Sequence, residues 1–373
     1  MSARSADGSP VDAEVRGVLR RLAPGTPLRE ALDRIRRSGT GGLVVLGDDP
    51  GVRAICDGGV ALDVPFTPAR LRELSKMDGA VVLSTDGTRI TRANVHLVPD
   101  PSLPAVETGT RHRAAERTAL HTGVPAVAVS ASMTTVTVYA GGQARVLADP
   151  VVLLARADQT VATMERQGAR TARARARLDR AEVGGYAAVR DVITMTQRLL
   201  RLERLGAELA ELTVEMGEYG RQTTLQLEEL LSDTPDELRR LVADYLVVDR
   251  PGTGTDASEA GARALPTAAQ VEAGLERLTA LSDADLLAPG PVARCFGLPA
   301  EPEDLDDQVS ARGYRMLAHI PRLRPVQIAA LVERFGSVTA LLAAEQADFA
   351  DVEGVGALWA KHVRLRLTGL VTG

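Results

Sequence analysis

Apolar residues follow two rhythms along the chain. Residues 11–22 and 28–37 carry them at helical spacing, separated by the breaker Pro24-Gly25-Thr26-Pro27, in which Thr26 can cap the second helix. Short apolar runs predict buried strands at 42–46, 124–130 and 136–140, and Gly141-Gly142 turns the last of these into 143–147. Residues 52–56 read as a further strand closed by Asp57-Gly58-Gly59, and Thr67 opens a helix that runs to Lys76. Met77-Asp78-Gly79 then leads into the buried strand Ala80-Val81-Val82-Leu83. Asp86-Gly87 marks a hairpin, and 89–98 alternates as a strand. A loop at 99–104 and the run from Gly109 precede a helix ending near His121. This mixture predicts an α/β domain over residues 11–149, a mixed central sheet flanked by helices.

From Pro150 the strand rhythm stops. A long helix is expected over 151–182, arginine-rich through Arg170, Arg173, Arg175, Arg177 and Arg180, and broken by Gly184-Gly185. Helical spacing resumes over 186–216, 225–231, 237–247 and 271–281, so 150–310 reads as an all-α spine. The arginine run reads as a solvated helix face, with nucleic-acid contact as the alternative. Residues 250–267 read as a flexible loop and 301–307 as an acidic connector. Residues 311–373 form a third, all-α domain with more basic than acidic residues.

Composition narrows the class. A length of 373 residues suits two or three domains, and 45% hydrophobic content allows full cores built from Leu, Val and Ala, since aromatics are 3%. A net charge of -5 excludes a chain-wide nucleic-acid coat but not a local basic patch. Cys56 and Cys295, far apart, read as free thiols of a reducing compartment. Residues 1–10 read as a polar, disordered tail without a signal core, and no apolar run reaches the ~20 residues of a membrane span. The expectation is a cytoplasmic protein with no membrane partner.

Candidate chemistry gathers in Gly109-Thr110-Arg111-His112-Arg113-Ala114-Ala115-Glu116-Arg117. Each guanidinium is a planar fork of donors that matches phosphate oxygens in pairs. A threonine just ahead of a helix can cap it, and a helix start attracts anions. The run therefore reads as a polyphosphate cradle, against the alternative of a solvated basic helix start. Asp78-Gly79 alone reads as a turn. Beside the Arg-His-Arg run, Asp78 becomes a metal-binding carboxylate, because nucleotidyl transfer rests on positioning and charge neutralisation and Mg²⁺ takes one or two carboxylates plus substrate phosphates. Ser130, at the end of the following strand, adds an oxygen ligand. No Walker loop, zinc His pair, Cys pair or serine-hydrolase elbow is present. His96, His121 and His319 read as structural and Trp359 as a core anchor.

These residues carry a resemblance. Asp78-Gly79-Ala80, the strand Asn94-Val95-His96-Leu97 and Gly109-Thr110-Arg111-His112-Arg113 resemble the diadenylate cyclase domain over residues 10–150. The whole chain resembles the bacterial DNA integrity scanning family, which joins that domain to a helical spine and a C-terminal helix-hairpin-helix module. The resemblance implies condensation of two ATP into cyclic di-AMP with release of two pyrophosphates, by an octamer whose active sites form between facing cyclase domains. It implies Asp78 as the ligand of Mg²⁺ or Mn²⁺ that helps deprotonate the ribose 3′-hydroxyl. Gly79, Ala80 and Leu97 would lie at the nucleoside, Thr110, Arg111, His112 and Arg113 at the phosphates, and Ser130 at the metal or triphosphate. Ala114 departs from the pattern, where threonine is expected; a side-chain contact is lost there and a backbone N–H contact kept.

The C-terminal segment fits the same family. Val352-Glu353-Gly354-Val355-Gly356 precedes a helix, and glycines around an apolar residue let backbone N–H groups approach a DNA phosphate. Lys361 and Arg364 lie nearby, with His362 and Arg366. Ile320-Pro321-Arg322-Leu323-Arg324-Pro325 looks like a degenerate first copy in which Arg322 and Arg324 replace the glycines. Binding of double-stranded or branched DNA, read by backbone and shape, is the expectation, with inhibition of synthesis and nucleoid association implied by the resemblance. Two readings from other classes stay open: a non-catalytic DNA-structure-binding scaffold with a nucleotide-sensing domain, and a nucleotidyltransferase with another acceptor.

Overall fold

The computed structural model describes residues 10–248 and 264–372. The expected tail lies outside them except for Pro10, which opens the first helix, as does the Pro/Gly-rich stretch through residue 263. Two compact units are present: one runs to Gln159 and includes Leu209–Leu225, the other comprises Thr160–Glu208 and the chain from Gln226.

The first unit contains α1 (Pro10–Arg21), α2 (Pro27–Ser38), β1 (Gly42–Val45), α3 (Pro50–Ala54), β2 (Cys56–Asp57), β3 (Val60–Pro65) and α4 (Pro68–Leu74). It continues with β4 (Ala80–Leu83), β5 (Arg89–Leu97), α5 (Thr110–Thr122), β6 (Ala126–Val129), β7 (Val136–Ala140) and β8 (Gln143–Val146). The strands form one sheet in the order β2-β5-β4-β1-β6-β7-β8, with β3 also on β5. β1 and β4 run parallel, and the other pairs are antiparallel, so the sheet is mixed as its pattern indicates. Every residue of β1, β4 and β6 is buried, because helices cover both faces. Leu19, Leu32, Ile35 and Leu71 of α1, α2 and α4 pack on Val44, Val81 and Val127; Val52 and Ala115 of α3 and α5 pack on Val45, Val82 and Ala128. Thr26 caps α2, its hydroxyl accepting from the Arg29 N–H at 3.2 Å.

The strand expected at 52–56 is mostly helix. Pro50 supplies helical φ at the first position of α3 and the Asp49 carboxylate accepts from the Val52 N–H at 2.7 Å, and this cap prevails over the β-propensity of Val52 and Ile55. β3 escapes the pattern because its side chains are largely exposed. β5 carries a bulge: its register against β4 shifts between Ala80 and Val82, and Asn94 takes a left-handed φ of 56°.

The second unit is all helical. It holds most of α6 (Pro150–Gly184) and α7 (Val189–Met216), part of α8 (Arg221–Leu231), then α9 (Thr234–Tyr245), α10 (Ala268–Thr279), α11 (Asp283–Leu287) and α12 (Pro289–Phe296). After these come α13 (Tyr314–Ala318), α14 (Pro325–Phe335), α15 (Val338–Ala343), α16 (Gln346–Ala350) and α17 (Gly356–Thr372). A single apolar core runs from Leu178 through Tyr245 and Phe296 to Leu367. The arginines of α6 divide: Arg170 and Arg173 are exposed, whereas Arg175 pairs with Glu237 at 2.7 Å and Arg177 with Asp191 at 2.9 Å.

Two arginines of the basic C-terminal segment are interior. Arg312 donates to the carbonyls of Ala243, Asp244, Leu246 and Ala264. Arg315, with its side chain 1% exposed, donates to Glu182 at 2.6 Å and Asp179 at 2.7 Å. Asp244 accepts the backbone N–H groups of Gly313, Tyr314 and Arg315, which caps α13. Carboxylates outnumber cations in this hub, and burial pushes the Glu182 carboxyl up to about 7 from 4.5, against the opposing pull of Arg315. A raised folded-state pKa means the folded chain holds a proton that the unfolded chain releases. That contribution is full below about pH 4.5 and is lost as pH rises through about 7. Glu182→Gln keeps the acceptor for Arg315 and Tyr245 and removes the titration. The expected result, from urea melts across this pH range, is loss of a downward slope of up to about 1.4 kcal/mol per pH unit that the wild type shows.

Candidate functional site

One end of the sheet gathers the chemistry. β1 and β4 begin there, and the antiparallel β5 and β6 end there. A cleft of about 610 Å³ is lined by these four strand ends and the first turn of α5. Asp78, Gly79, Ala80, Leu97, Thr110, Arg111, His112, Ala114 and Ser130 all line it.

Each position has a local cause. Gly79 faces the bulge of β5, where a Cβ would collide with the Asn94 backbone and lie 2.6 Å from the Val95 nitrogen. The bulge in turn sets which residues of β5 reach the cleft: Val95, His96 and Leu97. His96 is therefore an exposed cleft residue and not the structural histidine expected, whereas His121 is structural, its Nδ1 accepting the Asp100 N–H at 3.1 Å. Gly109, not Thr110, is the cap residue of α5, and no side chain caps this helix. Thr110 is instead the first helical residue. The first-turn N–H groups have no acceptor within the helix and lie at the cleft wall, where an anion can accept from them.

Charge is arranged sparsely. The Asp78 carboxylate is fully exposed and lies 3.6 Å from the Arg111 guanidinium. Arg111 rests over Gly41, whose φ is 69° and where a Cβ would lie 2.7 Å from Arg111 Nη1. The Ser130 hydroxyl accepts from the Met133 N–H at 3.0 Å. Arg113 does not line the cleft. Its guanidinium donates to the carbonyls of Glu107 and Thr108 at 3.1 and 3.5 Å, holding the segment ahead of α5. Of the Arg-His-Arg run, Arg111 and His112 thus line the cleft and Arg113 does not.

His112 has a support that the sequence did not reveal. The Tyr139 hydroxyl donates to Glu107 Oε1 at 2.8 Å and so accepts from His112 Nδ1–H at 2.9 Å. The chain Glu107–Tyr139–His112 fixes the ring and leaves Nε2 available to the cleft. Burial and the Glu107 carboxylate push the Tyr139 phenol well above its ordinary range, so it stays a neutral relay. Among the described residues no cluster of three His, Cys, Asp or Glu can hold a metal ion by itself. One exposed carboxylate in a cleft that also holds the Ser130 hydroxyl suits a hard divalent cation that takes its remaining ligands from a polyphosphate.

The second predicted region lies in the helical unit. Gly354 and Gly356 have φ of 80° and 64°, and a Cβ at either would meet nothing within 4 Å, so left-handed φ rather than crowding demands glycine there. Val355 is buried, Lys361 is exposed, and Arg364 donates to the Leu342 carbonyl at 2.9 Å. Trp359 is partly buried against the core. No described helix is long and apolar enough to cross a membrane.

Comparison with known proteins shows the family. The nucleotide-binding family of the DisA bacterial checkpoint controller matches residues 29–144, and the DisA linker region matches 147–305. The DNA integrity scanning protein DisA of Corynebacterium glutamicum strain R is 47% identical over 349 residues, 94% of this chain and 92% of that protein. The DisA of Streptomyces avermitilis is 44% identical over 367 residues, 98% of this chain and 94% of that protein. DacA from Staphylococcus aureus, a solved structure, overlaps 36% of this chain and 89% of its own at 22% identity and a TM-score of 0.30. With these identities sustained over nearly its full length, the chain belongs to the DNA integrity scanning protein (DisA) family.

Proposed function

We propose that the N-terminal domain is a diadenylate cyclase that condenses two ATP into cyclic di-AMP, and that the C-terminal segment from residue 311 is a helix-hairpin-helix module binding double-stranded or branched DNA. The observation that carries the first part is the cleft itself, where Asp78, Arg111, His112 and the open first turn of α5 meet within one nucleotide-sized space.

In this reading Arg111, the first-turn N–H groups and His112 Nε2 hold the triphosphate, while Gly79, Ala80 and Leu97 seat the nucleoside. Ser130 assists at the triphosphate, and Arg113 acts indirectly, by holding the segment that carries Glu107. Asp78 would hold Mg²⁺ or Mn²⁺ brought with ATP, which supplies charge neutralisation and acidifies the ribose 3′-hydroxyl. The 3′-oxygen of each ATP attacks the α-phosphorus of the other. Two P–O bonds form, two bonds to pyrophosphate break, and two protons leave. Each ATP is nucleophile and electrophile at once, so one cleft provides half a site and two copies must face each other across a two-fold axis, within an octamer as family membership suggests. DNA held by the C-terminal module is proposed to inhibit this synthesis, which would place the protein on the nucleoid in the cytoplasm.

Incubation with ATP and Mg²⁺ or Mn²⁺, followed by mass analysis, tests the reading. Cyclic di-AMP is expected; a modified acceptor or unchanged ATP would sink it. A synthetic four-way junction added to the same assay is expected to lower output, and equal output would remove the coupling. The histidine support has its own consequence. Tyr139→Phe keeps the buried ring and loses the relay, and turnover is expected to fall about three- to tenfold with the fold retained. Unchanged turnover would make the chain Glu107–Tyr139–His112 merely structural.

A further inference from the structure

We propose that Arg322 is a phosphate-contacting residue of the C-terminal module, a cationic side chain placed at the turn position that the second hairpin fills with glycine. This rests on the reading of the module as a duplex-binding element.

The end of the chain repeats itself at an offset of 32 residues, Tyr314–Ala318 recurring as Gln346–Ala350. Leu317 and Phe349 occupy matching buried positions, as do Ile320 and Val352, and Leu323 and Val355. The turn that follows each short helix is the same. The Leu323 N–H donates to the Ile320 carbonyl at 3.2 Å, and the Val355 N–H to the Val352 carbonyl at 3.1 Å. Both turns need a left-handed residue, Gly354 at φ 80° in one and Arg322 at φ 63° in the other. The Gln327 side chain donates to the Gly354 carbonyl at 2.8 Å and ties the second turn to the helix that follows the first.

A left-handed backbone is unfavourable for any residue with a Cβ, and glycine at 322 would remove that cost. Among the described residues no hydrogen bond or ion pair of the Arg322 side chain offsets it, and Arg322 is exposed. Of the other arginines of this segment, Arg312 and Arg315 are interior and Arg364 is bonded to a carbonyl, whereas Arg324 and Arg366 are exposed like Arg322 but lack its left-handed backbone. Arg322 thus holds strained backbone while, among the described residues, its fork of donors has no hydrogen-bond or ion-pair partner at the tip of a hairpin. That chemistry suits the phosphodiester backbone of a duplex. The second hairpin offers backbone N–H groups between open glycines; the first offers a guanidinium at the equivalent place.

The test uses the full-length protein and a fluorescein-labelled blunt duplex, read by anisotropy over a sodium chloride series, beside thermal melts. Arg322→Gly is expected to melt no lower than the wild type while binding about three- to tenfold more weakly, with a salt slope smaller by about one. Arg322→Lys, which keeps the charge, is expected to retain the slope. Unchanged affinity and slope in Arg322→Gly, or a lowered melting temperature, would overturn the proposal. Failure of the wild type to bind duplex at all would remove the module's DNA-binding reading and this proposal together.

Discussion

Asparagine in place of Asp78 is expected to lower turnover by about 10²–10³-fold, the scale seen when one charge-stabilising group is removed from a reacting centre. The substitution keeps the shape and removes the charge. Asp78 stands fully exposed, with Arg111 as its neighbour at 3.6 Å, so little of the fold depends on it. Stability is expected to stay within about 0.5 kcal/mol of the wild type. Pyrophosphate release and a melting curve on the same preparation check both halves. Turnover retained at the wild-type rate would remove Asp78 from the mechanism.

Arg315→Ala is expected to have the largest effect on stability, a loss of about 3–5 kcal/mol in the helical unit. The cause is not the worth of one ion pair. Glu182 and Asp179 would lose their donor in a buried hub that already holds more carboxylates than cations. Asp244 and its backbone donors would remain, so α13 keeps its cap. Urea unfolding followed by far-UV circular dichroism measures the change. A loss under about 1 kcal/mol would mean that the hub relaxes and hydrates, as surface pairs do.

These two residues also show what a sequence reveals. Asp78, Thr110, Arg111 and His112 stand in short local motifs, and the strand rhythm around them places both motifs at one end of a mixed sheet. The irregularity of β5 was not legible, since 89–98 reads as plain alternation, yet burial passes from Ile90 to Ala93, Val95 and Leu97 and so slips by one residue between 90 and 93, and Asn94 takes a left-handed φ. Tyr139 and Glu107 were not legible, because their partnership with His112 joins β7, the loop ahead of α5 and α5 itself, far apart in sequence. Arg312 and Arg315 misled for a related reason. They add to the basic count of the C-terminal segment, yet their charge is spent on carbonyls and carboxylates of α6 and α9 and of nearby loops. In the strand expected at 52–56, a local cap at Asp49 prevailed over side-chain preference.

Each cleft is proposed to be half of an active site. Light scattering and the rate of cyclic di-AMP formation, measured on the same samples over a dilution series with ATP and Mg²⁺ in excess, test this most directly. Specific activity is expected to follow the assembled fraction and to fall toward zero as the chain becomes monomeric, while ATP binding persists. Undiminished specific activity from a demonstrated monomer would contradict it.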